Sequence, residues 1–168
     1  MVENESPSNP HTPRLTRLLR DLLHTQRVAC LACLDQEGRP SVSMVPFALV
    51  PELDSLVIHV SALAPHTQLM LAKPEVGLMV CRAEVPGQAV HALERVSMQA
   101  RVVQLTVGHA DWLLSREAYL ARFEEARMMT ELPDFSFFSV KPYEGRHIAG
   151  FGAARRVDAP ELALVMRR

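Results

Sequence analysis

The stretch VHALERVSMQARVVQL, residues 90–105, decides the fold class of this 168-residue chain. Within it Val96, Met98, Ala100 and Val102 alternate with Ser97, Gln99, Arg101 and Val103. A period of two marks an extended strand with one face on a core and the other turned out. One long two-faced strand is therefore expected over 90–105.

Working back from it, the loop AEVPGQ separates this strand from a shorter apolar run, Val76 to Arg82. Before that, SALAPHTQLMLAKP offers Ser61 as a cap, a short helix from about Pro65 to Ala72, and a stop at Lys73-Pro74. Ser55 to Val60 reads as a strand entered through a turn at Pro51 to Asp54. Val28 to Leu34 and Ser41 to Leu49 flank the glycine-containing loop DQEGRP and read as a hairpin. In front of them Leu15, Leu18, Leu19, Leu22 and Leu23 form one stripe of a helix beginning near Thr12 and Pro13.

Working forward, His109 to Met129 has helical spacing and breaks into two short helices before Pro133. Phe135, Phe137, Phe138 and Val140 mark an aromatic strand, and Arg146 to Gly150 marks another. The tail beyond Val157 carries at most a weak helix. Six or seven mostly sequential antiparallel strands with few helices form a sheet that closes into a barrel to remove its edges.

Composition narrows the function. Apolar content of 48% and charged content of 22% suit one domain with a real core. A net charge of −1 leaves no general electrostatic footprint for nucleic acid or an anionic membrane. Sixteen of the 18 basic residues are arginine, whose planar fork suits phosphate or carboxylate, although codon bias explains the excess equally well. No apolar run reaches the roughly 20 residues that span a bilayer, and Met1 to Pro13 is polar, so a cytoplasmic protein is expected. Cys30 and Cys33 spell CxxC inside VACLACL, a run that reads as a buried strand. Residues three apart on a strand face opposite ways, so core packing is the expected role.

Three segments together resemble the FMN-binding split barrels related to pyridoxamine 5′-phosphate oxidase, in particular the branch that includes heme-utilisation proteins. They are ACLACLDQEGRPSVSMVPFAL (29–49), VSALAPHTQLMLAKPEVGLMV (60–80) and LPDFSFFSVKPYEGRHIAGFGAA (132–154). The resemblance implies a mainly β, six-stranded antiparallel split β-barrel with short helices, paired as a homodimer with FMN in the grooves between subunits. The implied layout is a disordered segment over 1–12, one flavin-binding domain over 13–157 and a tail over 158–168.

The same resemblance nominates site residues. Ser43, Met44, Val45 and Pro46 lie on the strand that runs beside the flavin ring and contacts it through the backbone. Ser61, His66, Thr67 and Gln68 match the segment that meets the FMN phosphate, and hydroxyls with free N–H groups at a helix start suit an anion. Arg95 matches the position from which the oxidases send a polar side chain toward the partner subunit's flavin; Ser97 is nominated with it from the same face, on which Gln99 and Arg101 also lie. The chain departs from the family at Leu69, where the pattern HTxN has asparagine, at Ala62, and at Ala153 after GFG. Phe151 either covers the cofactor or packs.

An FMN-dependent oxidoreductase is the first functional expectation, with the flavin doing the redox work. A heme-binding or heme-degrading protein of the same fold is the alternative. No histidine follows His147 to serve as the axial ligand found near the end of the barrel in such relatives. A non-enzymatic flavin carrier also fits; a true pyridoxamine phosphate oxidase lacks its C-terminal basic cluster here.

Overall fold

The computed structural model describes residues 13–167, so the expected disorder over 1–12 lies outside the described residues. The chain runs α1 (Arg14–Thr25), β1 (Val28–Leu34), β2 (Pro40–Pro46), β3 (Ala48–Val50), β4 (Ser55–Ser61), α2 (Pro65–Ala72), β5 (Glu75–Cys81), β6 (Arg95–Gln104), α3 (Ala110–Arg122), β7 (Phe135–Ile148), β8 (Ala154–Asp158) and α4 (Ala159–Met166). No helix among the described residues is long and apolar enough to cross a membrane.

All neighbouring strands are antiparallel, in the order β2-β1-β5-β6-β7-β4-β3, with β8 added beside β7. The two ends of this order are consecutive in the chain and differ by one residue, Phe47. The expected strand over 41–49 is thus one strand bent at Phe47, pairing β1 with its first half and β4 with its second. Phe47 N–H donates to Arg27 O at 3.1 Å, one pair beyond Val28–Pro46 in the β1–β2 register, and its ring is fully buried. Counting β2 and β3 as one strand, and leaving aside the added β8, gives the six-stranded split barrel that the resemblance implies.

The alternation read from 90–105 holds over Arg95–Gln104, where Val96, Met98, Ala100 and Val102 point into the barrel. Residues 90–92 are instead a short 3-10 turn. The two short strands expected near 135 and 146 are a single strand, β7, long enough to pair with β4, β6 and β8. Of the two short helices expected within 109–129, the first is α3 and a pair of 3-10 turns, Glu124–Ala126 and Met129–Glu131, stands in place of the second.

Leu31, Val45, Leu56, Ile58, Leu78, Val80, Phe138 and Val140 fill the barrel, and α1 and α4 plug one end with Leu19, Leu22, Leu23, Leu162, Val165 and Met166. The C-terminal segment is therefore part of the core. Pro160 opens α4, and Asp158 caps it by accepting from Glu161 N–H at 3.0 Å. Glu161 then accepts from Thr16 of α1 at 2.6 Å and from both terminal nitrogens of Arg155 on β8. That guanidinium holds the Glu161 carboxyl below its usual range. One carboxylate ties three elements together.

A second, smaller apolar layer lies outside the barrel. There α3 packs Tyr119 and Phe123 onto Ala48, Val50, Val57 and Phe137 of β3, β4 and β7. Because β4 has a barrel interior on one side and this layer on the other, its run SLVIHV is buried at every position.

Candidate cofactor site

The opposite outer wall, built by β2, β1, β5 and β6, has no helix over it among the described residues. Here VACLACL is buried only at alternate positions, which corrects the reading of a wholly buried strand: Ala29, Leu31 and Cys33 face in, while Val28, Cys30 and Leu34 face out. Burial raises the pKa of the Cys33 thiol, so the CxxC pair is split between core and surface. Met44 and Val42 are 64% and 68% exposed, so Met44 is not a core residue.

Strand register turns these outward residues into rows. Met44 lies opposite Cys30, Cys30 opposite Met79, Met79 opposite Ser97, Ser97 opposite Arg146, and Arg146 opposite Arg156. A parallel row runs Val42, Ala32, Gly77, Gln99. Cys81 stands two residues beyond Met79 on the same side of β5. The result is an apolar, sulfur-bearing plate that passes through Ser97 into two neighbouring guanidiniums. Neither Arg146 nor Arg156 has an ion-pair partner among the described residues, whereas Arg101 pairs with Glu75 at 3.0 Å and Arg155 with Glu161.

A hollow of about 260 Å³ lies where the plate meets the arginines, lined by Ser97, Gln99, Glu144, Gly145, Arg146 and Arg156. The ladder shifts register there, between Gln99 and Ala100. Gly145 lets the strands close: a Cβ at that position would stand 3.2 Å from Ser97 O and 3.4 Å from Met98 Cγ.

The nominated flavin strip, 43–46, divides by face. Met44 and Pro46 sit on the plate, Val45 is buried in the barrel, and Ser43 meets His66 Nδ1 at 3.1 Å. Strand β2 ends the sheet, so one of its edges has no strand partner among the described residues. Its outward backbone N–H and C=O groups are available to a ligand or a second chain.

The nominated phosphate segment uses its polar groups internally. Ser61 Oγ donates to Asp134 Oδ2 at 2.9 Å and accepts from Leu63 N–H at 3.1 Å. Thr67 Oγ1 donates to Ser61 O at 2.7 Å, and Gln68 Nε2 to Ala62 O at 3.4 Å. A carboxylate therefore stands beside the first hydroxyl of the segment. His66 Nε2 is buried without a hydrogen-bond partner, and desolvation lowers the ring's pKa. Arg95 lies at the rim of the plate and donates to Leu93 O at 2.8 Å. His147 points into the barrel, fully buried, 3.2 Å from Glu94 Oε1; burial pulls its pKa down while Glu94 pushes it up. Phe151 is 91% exposed in the Gly150–Gly152 turn and covers nothing within the chain.

Sequence reasoning missed Cys30, Met79, Arg146 and Arg156. Alternation shows that each faces outward, but only register shows that they face outward side by side.

A larger cavity, about 710 Å³, lies across the molecule among α1, β3, α3 and α4. Its cations are committed: Arg27 to Glu125 and Arg122 O, Arg167 to Asp54, and Arg122 to the carbonyls of Leu23 and Gln26. Basic groups at helix C-termini answer the exposed carbonyls there, so this cavity reads as a structural junction.

The family model described as pyridoxamine 5′-phosphate oxidase matches residues 15–149. The chain belongs to this family. Among its relatives, the heme oxygenase HutZ of Vibrio cholerae is 26% identical over 150 residues, covering 89% of this chain and 84% of the relative. The chloroplastic non-canonical heme oxygenase HOZ of Arabidopsis thaliana is 31% identical over 138 residues, covering 81% of this chain and 40% of the relative. Among solved structures, a heme binding protein from Mycobacterium smegmatis superposes with a TM-score of 0.81 at 22% identity over 91% of this chain. The chain spans 61% of that protein and well under half of the plant relative.

Proposed function

We propose that this family member is a heme-binding protein, of the heme-degrading kind, that works as a homodimer with its ligand held between subunits. The observation that carries the reading is the outer plate: a flat apolar surface continuing into Arg146 and Arg156, two guanidiniums without ion-pair partners. That surface suits a planar apolar macrocycle bearing carboxylates at one edge. Arginine forks pair with carboxylates bidentately, and a bare plate of this kind is a site that something must cover. The relatives named for heme support the same choice.

The donor set fits. Val42, Met44 and Ala32 would support the ring, Arg146 and Arg156 would hold the carboxylates, and a second copy would close the other side and exclude water. Bound heme would itself supply the oxygen chemistry. The chain would bind, orient and shield it.

FMN is the second reading, favoured by the free edge of β2, which offers backbone groups to a flavin ring. Asp134 beside Ser61 weighs against it, because a phosphate there would meet a carboxylate. The test is an absorption titration of the purified protein with hemin and, separately, with FMN, followed by gel filtration. A Soret band retained on the protein and weakened in Arg146→Ala/Arg156→Ala supports the heme reading. Retained flavin bands with no hemin uptake would replace it with the second.

A further inference from the structure

Strand β8 is short and pairs only with β7, and two of its outward rungs set like charges side by side: Glu144 opposite Asp158, and Arg146 opposite Arg156. Like charges directly opposite on an antiparallel pair push the strands apart. Neither arginine escapes the repulsion through an ion pair with Glu144 or Asp158 among the described residues. The next rung, His147 opposite Arg155, turns inward. Arg155 gives both terminal nitrogens to Glu161 of α4, at 2.6 and 2.7 Å, and Thr16 of α1 donates to the same carboxylate. His147 stands 3.2 Å from Glu94 Oε1, and Arg82 holds Glu94 Oε2 at 3.0 Å. This inner rung makes no side-chain hydrogen bond across itself, for Arg155 Nε and His147 Nδ1 are buried without partners. Each strand of the ladder is thus held from behind by its own carboxylate, β8 through Arg155 and β7 through His147.

We propose, resting on the reading of Arg146 and Arg156 as the pair that holds the ligand's carboxylates, that Arg155 and His147 are positioning residues for that pair. The inward pull of Glu161 and Glu94 keeps β8 against β7 while the two outer guanidiniums stand unneutralised. The fork of Arg155 on one carboxylate fixes direction as well as distance, which a lysine in its place would not. A carboxylate set between Arg146 and Arg156 would remove their repulsion, so ligand binding and closure of this ladder favour each other by the same free energy. The proposal needs only the arginine pair and not a particular placement of the macrocycle. It also gives the C-terminal helix a part in the site, because α4 acts on β8 through Glu161.

The experiment is hydrogen–deuterium exchange of the full chain with and without hemin, joined to an absorption titration with hemin. In wild type hemin is expected to slow exchange over 154–158, and in Arg146→Ala/Arg156→Ala it is expected not to. Arg155→Lys, which keeps the charge without the fork, and Glu161→Gln are expected to quicken exchange over 154–158 in the absence of hemin. Both should weaken hemin binding about tenfold, as removal of the outer arginines would. The charge-exchanged double variant Arg155→Glu/Glu161→Arg is expected to recover slow exchange and affinity. His147→Gln, which keeps a donor toward Glu94, should retain the affinity that His147→Leu loses; equal loss in the two overturns the part given to His147. Urea midpoints report fold stability separately. Arg155→Lys and Glu161→Gln that lower the midpoint yet leave exchange over 154–158 and hemin affinity of the folded chain unchanged overturn the positioning role and leave the arginine pair standing. Failure of wild type to take up hemin overturns the reading of the pair, and the proposal with it, even where exchange responds to the variants.

Discussion

The barrel has two apolar outer walls, and they are finished differently. Over β3, β4 and the start of β7 the chain lays α3, and Tyr119, Phe123 and Phe137 close a sealed layer in which His59 is only 6% exposed. Over β2, β1, β5 and β6 it lays nothing among the described residues, and Val42, Met44 and Cys30 face out. Both walls alternate, and both are rich in apolar side chains. One is covered within the chain, and the other is the wall on which the proposed reading places a ligand and a second copy. An apolar outward face is thus a question about what covers it, and the answer differs by wall.

The largest contrast should appear in stability. Phe137→Ala on the sealed wall opens a cavity among Trp112, Tyr119 and His59 and is expected to cost about 3–5 kcal/mol in urea unfolding. A cost below about 1 kcal/mol would mean that the α3 layer is not a true core.

The pH response should come mainly from the same wall. His59 sits among the rings of Phe135, Phe137 and Tyr119, its Nδ1 has no hydrogen-bond partner, and desolvation lowers its pKa to about 4. The unfolded ring takes a proton near pH 6.5, so the unfolded state binds more protons between there and about 4. The native state is fully favoured above 6.5, and that advantage shrinks as pH falls, by about 3 kcal/mol in all. His66 and His147, whose pKa values are also lowered by burial, act in the same direction. Unfolding midpoints measured across this range should fall, and His59→Phe should flatten the curve.

On the open wall the effects should be on binding. Arg146→Ala/Arg156→Ala is expected to weaken hemin binding about tenfold, ~1.4 kcal/mol, with the unfolding midpoint unchanged. An equal loss of stability would reduce the arginines to structural residues. The smallest stability effect should come from Val42→Ser and Met44→Ser, within about 0.5 kcal/mol for the folded chain. Sedimentation should nevertheless show weaker self-association. If these variants destabilise the chain as Phe137→Ala does, the two walls are not different after all.

Much of this contrast was legible in part. The alternation in 95–104, the stripe of leucines in α1 and the short helix Pro65–Ala72 follow from local spacing, and each forms as read. Three segments in order pointed to the split barrel. The nominated phosphate segment was less legible, because Asp134 reaches Ser61 from 73 positions along the chain. Met44 illustrates the same limit: its side of the strand was readable, but whether that side was covered was not.

What the sequence determined by itself is the period of each segment, and hence which side chains share a face and which family the segments resemble. Tertiary structure alone decided that Phe47 breaks one strand into two and closes the barrel. It decided that β8 and α4 complete the core, that α3 covers one wall, and that Cys30, Met79, Ser97 and Arg146 share one row. The reason is physical: periodicity depends on neighbours a few residues apart, whereas register and cover depend on pairings across long loops, which form only when the whole sheet closes.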